Sequence, residues 1–468
     1  MGGQNVSPVR RILAVVVLAL LIAAPEALGR KPSLYLEVDR YALAAPASAE
    51  RSLDALGAYL KKAGQTSEER SRAVYRWITE HIAYDTVSYF SGQYPDQSAE
   101  AVLKRRTGVC AGYANLYEAL ASRCAVETVV VSGEVRRDPE DTTNLSLGHA
   151  WNAVRIQGRW YLLDSTWGSG YVDYQSRRFT RKFNPYYFLV PPDQLIYSHF
   201  PKEKTWQLLS PPRSRAQVDS LPRVGSACFR FDIRPRESRG TLKTDQGLKL
   251  KFRAASGVSL MAGLYRNGQE LPDSHCLAQV DKDGWAVDVL FPAPGRYKVA
   301  IFGKDDPFAE RFNYVMEYWV EARRGTTQRF PEISSTFLER KAMLEYPRTL
   351  ALPPGKKSAF SVYVPAASDV QIINGGKWHP LSRQGQWFRG QAALETGEAK
   401  VSARFPGNDQ YWTLLRYRVD QAVTHRFPGP LDRILEPMLL GDLAHEASVG
   451  EAIGQLEIDR RQGDVPDR

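Results

Sequence analysis

Arg106-Thr107-Gly108-Val109-Cys110-Ala111-Gly112-Tyr113-Ala114-Asn115-Leu116-Tyr117 sets a cysteine between two glycines, just ahead of a helical pattern. Leu116, Leu120 and Ala121 recur at helical spacing, and no proline occurs from Val109 to Val135. The spacing predicts Cys110 at a helix N-terminus. There, unsatisfied N–H groups and the helix dipole favour a thiolate over a thiol. Gly108 and Gly112 would let another backbone or a substrate approach closely. A lone cysteine is more often a buried structural residue, so the assignment depends on what the rest of the chain brings to it.

Downstream, Gly148-His149-Ala150-Trp151-Asn152-Ala153-Val154-Arg155-Ile156 is followed by Gln157-Gly158, then by Arg159-Trp160-Tyr161-Leu162-Leu163-Asp164. This predicts a hairpin turning at Gln157-Gly158. With a two-residue turn Ile156 faces Arg159. Asp164 then faces Trp151, which shares a strand face with His149. His149 and Asp164 become diagonal cross-strand neighbours. A nucleophile, a base and an orienting carboxylate are the three roles of covalent acyl transfer.

The G-V-C-x-G-Y-A run, the G-H-A-W-N strand and the W-Y-L-L-D-x-T-W-G strand resemble the transglutaminase-like superfamily. Residues 75–85, Tyr75 to Asp85, resemble the helix and strand ahead of the family's cysteine. Asn184-Pro185-Tyr186-Tyr187-Phe188-Leu189, followed by β-rich sequence, is similar to the kyphoscoliosis-peptidase-like branch. The resemblance covers roughly residues 66–210. It implies an α+β papain/transglutaminase-like catalytic domain with a Cys–His–Asp triad: Cys110 as nucleophile, His149 as base, Asp164 as orienter. The oxyanion-stabilising side chain stays open, with Gln93, Tyr94 and Tyr89 as candidates beside the Cys110 N–H.

The chain has 468 residues, room for about three domains. Its 43% hydrophobic and 24% charged content suits a folded protein. The net charge of +10 is mild for this size and its Lys and Arg are scattered, which argues against nucleic-acid binding. Arg10 and Arg11 precede an apolar run from Ile12 to Ala24, then Ala27-Leu28-Gly29. This is a signal-peptide layout over residues 1–29, too short for a comfortable membrane span. It predicts an exported protein, periplasmic or extracellular, that meets a membrane only through this segment; an uncleaved anchor is the alternative.

The four cysteines are Cys110, Cys124, Cys228 and Cys276. A continuous helix would hold Cys110 and Cys124 roughly 20 Å apart, too far to bridge, so Cys124 reads as core. Cys228 and Cys276 share one predicted β domain and could pair. Without CxxC or a clustered Cys/His set, no metal or cofactor is expected.

Further along, residues 30–46 read as an edge strand or extended lead-in, with Leu34, Leu36 and Val38 alternating. Leu53, Leu56 and Leu60 predict a helix ended by Gly64. Thr66 to Glu69 is a capping box, and Val74, Trp77, Ile78 and Ile82 mark the buried face of the helix it starts. Residues 86–100 read as a loop rimming the cleft, ending in a short helix. From Pro211 the texture is β-rich. Runs at Gly284–Phe291, Gly295–Gly303 and Tyr314–Val320 recur about 100 residues later at Gln386–Ala393, Gly397–Phe405 and Tyr411–Tyr417. The expected organisation is a transglutaminase-like domain over 30–210, tandem all-β immunoglobulin-like sandwiches over 211–325 and 326–425, and a helical segment and tail over 426–468.

The expected function is an exported cysteine acyl-transfer enzyme acting on peptide or carboxamide bonds of a protein or peptide substrate. A thioacyl intermediate would pass to water or to an amine. The competing reading is a non-catalytic envelope binding or scaffold protein whose sandwiches carry the contacts.

Overall fold

The computed structural model describes residues 35–136, 148–173, 176–306, 309, 311–407 and 409–420. The predicted signal segment and the predicted helix and tail over 426–468 lie outside them.

The first domain begins with helices. α1 (Leu36–Leu43) replaces the expected edge strand. Its alternating apolar residues misled because Val38 and Ala42, four apart, are the pair that buries, while Leu36 stays exposed. α2 (Leu53–Leu60) starts at Ser52, whose side chain accepts from the Ala55 N–H. α3 (Ser67–His81) opens with the Thr66/Glu69 capping box and buries Val74, Trp77 and Ile78. His81 lies flat on Trp77, ring centroids 4.7 Å apart, which makes it a packing residue.

β1 (Ala83–Tyr84) leads into α4 (Thr86–Ser91), capped by the Asp85 side chain. The stretch expected as loop ahead of its closing short helix therefore contains a further helix. Its serines, which argue for a turn in sequence, are absorbed by the cap: Asp85 bonds both the Ser88 N–H and hydroxyl. α5 (Ala99–Arg105) and β2 (Thr107–Gly108) follow, β2 pairing in parallel with β1. This fixes the approach to α6 (Cys110–Arg123), the central helix of the domain.

Against α6 packs a four-stranded sheet in the order β5-β4-β3-β8. The strands are β3 (Glu127–Val135), β4 (Gly148–Ile156), β5 (Arg159–Leu163) and, from later in the chain, β8 (His199–Pro201). Ile156 pairs with Arg159 and Asn152 with Leu163, as a two-residue turn requires, with Gln157 and Gly158 both at positive φ. α7 (Ser165–Ser169) follows β5, then the ribbon β6 (Gly170–Asp173) and β7 (Arg178–Arg181). Arg72, buried in this core, forks onto Asp39 at 2.7 and 2.8 Å and is ringed by Tyr35, Tyr75, Phe183 and Phe188.

Beyond residue 220 the chain forms two sandwiches of one design. Each sets a four-stranded sheet against a six-stranded one. Strands Gly284–Leu290, Gly295–Lys304 and Asn313–Ala322 of the first correspond to Trp387–Ala393, Gly397–Arg404 and Tyr411–Val419 of the second. Short helices occur here too, such as Ser226–Arg230 and Ser335–Glu339. Cys228 and Cys276 are both free and buried as core residues, so the pairing the sequence allowed is not made.

Candidate active site

Cys110 is the first residue of α6. Val109 before it is extended and offers no side-chain cap, and the first intrahelical bond runs from the Tyr113 N–H to the Val109 carbonyl at 3.1 Å. The N–H groups of Cys110, Ala111 and Gly112 therefore have no acceptor within the helix, and their dipoles favour negative charge at the cysteine. The Val109 N–H donates to Gln97 Oε1 at 3.1 Å, and Asn115 Nδ2 donates to the Gln97 carbonyl at 3.0 Å. Gln97 thereby clamps the loop before α5 onto the start of α6. The two glycines serve this clamp: a Cβ at Gly112 would stand 2.5 Å from Gln97 Oε1. It is thus a protein side chain, rather than backbone or substrate, that makes the close approach there.

His149 sits near the start of β4, opposite Gly133 on β3. A Cβ at Gly133 would fall 2.6 Å from the Trp151 ring, so only glycine leaves that ring its place beside His149. His149 Nε2 is 2.7 Å from Asp164 Oδ2. This leaves Nδ1 for Cys110, whose thiol is hydrogen-bonded to the imidazole and also takes the Ala150 N–H. The hairpin places the His–Asp pair as the register argument requires, with one addition. Asp164 leaves the ladder and caps α7: its Oδ1 accepts from the N–H groups of Thr166 at 2.7 Å and Trp167 at 3.0 Å.

A second histidine was not foreseen. His199, in β8, is fully buried and puts Nε2 3.0 Å from the same Asp164 Oδ2, while its Nδ1 meets Ser198 Oγ at 2.8 Å. Sequence reasoning missed it because His199 lies 35 residues after Asp164 in a strand of three residues, with no motif around it. Four donors converge on one buried carboxylate. The ligand-capable atoms of His149, Asp164 and His199 lie within 4.8 Å of one another, a cluster the dispersed histidines of the sequence did not suggest. Both imidazoles reach the same carboxylate oxygen at hydrogen-bonding distance.

The electrostatics follow from these contacts. Burial alone would raise the Asp164 carboxyl, but the charge and hydrogen bond of His149, with that of His199, hold it well below the usual carboxylate range. Burial would depress His149, yet Asp164 and Cys110 outweigh it and lift the imidazole to about 10. Burial pushes the Cys110 thiol up, but the His149 bond and charge and the Ala150 N–H bring it below its ordinary value. His199 goes the other way: burial, with His149 adding to it, prevails over the Asp164 bond and keeps it neutral near pH 7. These contacts shift all three groups towards thiolate, imidazolium and carboxylate. Trp167 packs 4.6 Å from the His199 ring and 5.9 Å from that of His149, enclosing the pair.

Of the oxyanion candidates, Gln93 and Tyr94 are exposed and Tyr89 packs on Tyr84 and Phe90. The N–H groups left unpaired within the helix at the start of α6 stay candidates for the oxyanion donor.

Residues 54–165 match the transglutaminase-like superfamily, and residues 215–331 match the KY-like, immunoglobulin-like domain. The chain is 32% identical to kyphoscoliosis peptidase of Homo sapiens over 281 residues, covering 59% of this chain and 41% of that protein. The Mus musculus counterpart is 32% identical over 283 residues, covering 59% and 42%. Hillarin of Drosophila melanogaster is 24% identical over 233 residues, covering 45% and 28%. The chain thus spans about two-fifths of the length of the kyphoscoliosis peptidases.

Proposed function

The chain carries a transglutaminase-like domain and a KY-like immunoglobulin-like domain and is homologous to kyphoscoliosis peptidase; on that premise we propose that it is a cysteine acyl-transfer enzyme acting on carboxamide or peptide bonds of protein substrates. The observation that carries this reading is the position of His149, bonded through Nε2 to Asp164 and through its other nitrogen to Cys110. The Cys110 thiolate attacks the substrate carbonyl carbon, and the carbonyl π electrons move onto oxygen against the Cys110 N–H. Collapse expels the amine, which takes the proton from His149, and a thioester remains. Water or a second amine, deprotonated by His149, then displaces the thiolate. The relatives' name of peptidase favours water. Export, resting on the pattern of residues 10–29, is part of the same proposal.

The test is incubation of the full chain with a mixed library of peptides and a labelled primary amine, with Cys110→Ala as control. New peptide termini or amine-tagged glutamines that depend on Cys110 support the proposal and distinguish its two outcomes. Products identical with and without Cys110 overturn it.

A further inference from the structure

A cleft of about 270 Å³ opens between the first domain and the first sandwich. One wall is the edge of the candidate active site, with His149, Thr166 and Trp167; the other comes from the sandwich, with Arg230, Arg311 and Tyr314. Lys182, just after β7, adds a third cation. No Asp or Glu is among the described residues that line it. All three cationic side chains are exposed, and the acidic group that acts on Arg230 is Asp305, outside the lining. Cations from both walls of an aromatic-lined cleft that reaches an imidazole have a definite complement. A second observation points the same way: Thr166 Oγ1, buried at the cleft and two residues past Asp164, has no hydrogen-bond partner among the described residues. An unsatisfied hydroxyl there suits a peptide group entering the cleft.

We propose that this cleft is the substrate subsite, that it takes an acidic peptide segment next to the bond attacked, and that the first sandwich supplies the selectivity. The inference rests on the proposed acyl-transfer reading of the neighbouring cysteine and adds the substrate class to it. Lys182 and the two arginines attract carboxylates flanking the target, while the aromatic lining excludes water. The sandwich is then a working wall of the site rather than a spacer.

The experiment reads binding separately from chemistry. Two fluorescent nine-residue peptides, each with a central glutamine, carry four Glu or four Lys around it. Their binding to the full-length Cys110→Ser chain is followed by fluorescence anisotropy at low and at 0.5 M salt. The expected result is that the Glu peptide binds at least about tenfold more tightly than the Lys peptide at low salt, and that the gap shrinks at high salt, where the screening length falls to a few ångströms. Arg311→Glu alone narrows the preference, and Lys182→Glu/Arg230→Glu/Arg311→Glu reverses it. These residues are exposed, so circular dichroism should match the parent; the single variant carries the test if the triple variant does not fold. Equal binding of the two peptides, or a preference untouched by Arg311→Glu, overturns the proposal. Because the measurement contains no reactive cysteine, it stands or falls independently of whether Cys110 is a nucleophile.

Discussion

Replacing Asp164 by Asn removes charge from a carboxyl group that receives four donors: the Thr166 and Trp167 N–H groups on Oδ1, and His149 and His199 on Oδ2. The side chain keeps its shape, and its amide oxygen can still cap α7, so the fold should survive. The amide nitrogen must then face the two imidazoles and donate to them. His149 Nε2 becomes an acceptor, and the proton moves to Nδ1, the nitrogen that faces Cys110. The imidazole can no longer take the thiol proton, and the stabilised thiolate is lost. An ordinary cysteine with pKa about 8.5 is roughly 1% thiolate at pH 6.5. A maintained ion pair would be nearly all thiolate at that pH. The expected effect on Cys110 alkylation by iodoacetamide at pH 6.5 is therefore a loss of up to about 100-fold. Turnover should fall further, by about 10⁴, as a wrongly oriented tautomer does in serine proteases. The assay is alkylation resolved by mass spectrometry, with melting temperature as the fold control. An Asp164→Asn chain that melts like the parent and alkylates as fast would refute the assignment of Asp164.

Three further outcomes can be checked on the same material. Gly168→Ala would set its Cβ 1.9 Å from the hydroxyl of Tyr75, which is buried and donates to the Asn184 carbonyl. It should destabilise by about 1–3 kcal/mol in urea unfolding, and Tyr75→Phe in the same chain should recover part of that. Arg72→Lys replaces a two-pronged bond to Asp39 with a point charge in an aromatic ring of neighbours, and should lose about 1–3 kcal/mol despite keeping the charge. For pH, the sign follows from direction: Asp164 is depressed, so its stabilisation is present above the ordinary carboxylate range and lost on acidification. His149 is raised to about 10, so its contribution is full below about pH 6.5 and fades as pH climbs towards 10. Cys110 is lowered, and its lost proton offsets that of His149 near neutral pH, so chemical denaturation of His149→Ala should show a flatter decline than the parent chiefly from the ordinary cysteine range, about 8.5, towards pH 10; parallel curves there would deny His149 its raised pKa.

Much of the site was legible because it was local. The Cys110 helix start and the Gln157-Gly158 turn are written in short runs, and a two-residue turn dictates every pairing along β4 and β5. What was not legible depends on distant segments. His199 arrives on β8, which joins the sheet next to β3 after a long excursion, and no periodicity of three residues could announce it. Gln97 was hidden in a polar loop among equally polar neighbours, and only the fold selects which side chain reaches α6. α1 was misread because an apolar alternation over so few residues fits a strand as well as a helix, and burial of Val38 with Ala42 decides it. The sandwiches were readable as a repeat, but not the fact that one of them walls the cleft.

The most direct test of the central claim is iodoacetamide labelling of the native chain across pH 4 to 10, read residue by residue, beside His149→Ala. Cys124 and Cys228 are buried and pushed up to about 12, and Cys276 higher still, so Cys110 should label alone in the native state. The account predicts fast Cys110 labelling well below pH 8 in the parent, and a rate in His149→Ala that rises only as an ordinary thiol ionises. If Cys110 labels no faster than an ordinary thiol, or equally fast without His149, the thiolate–imidazolium pair does not exist and the acyl-transfer account fails.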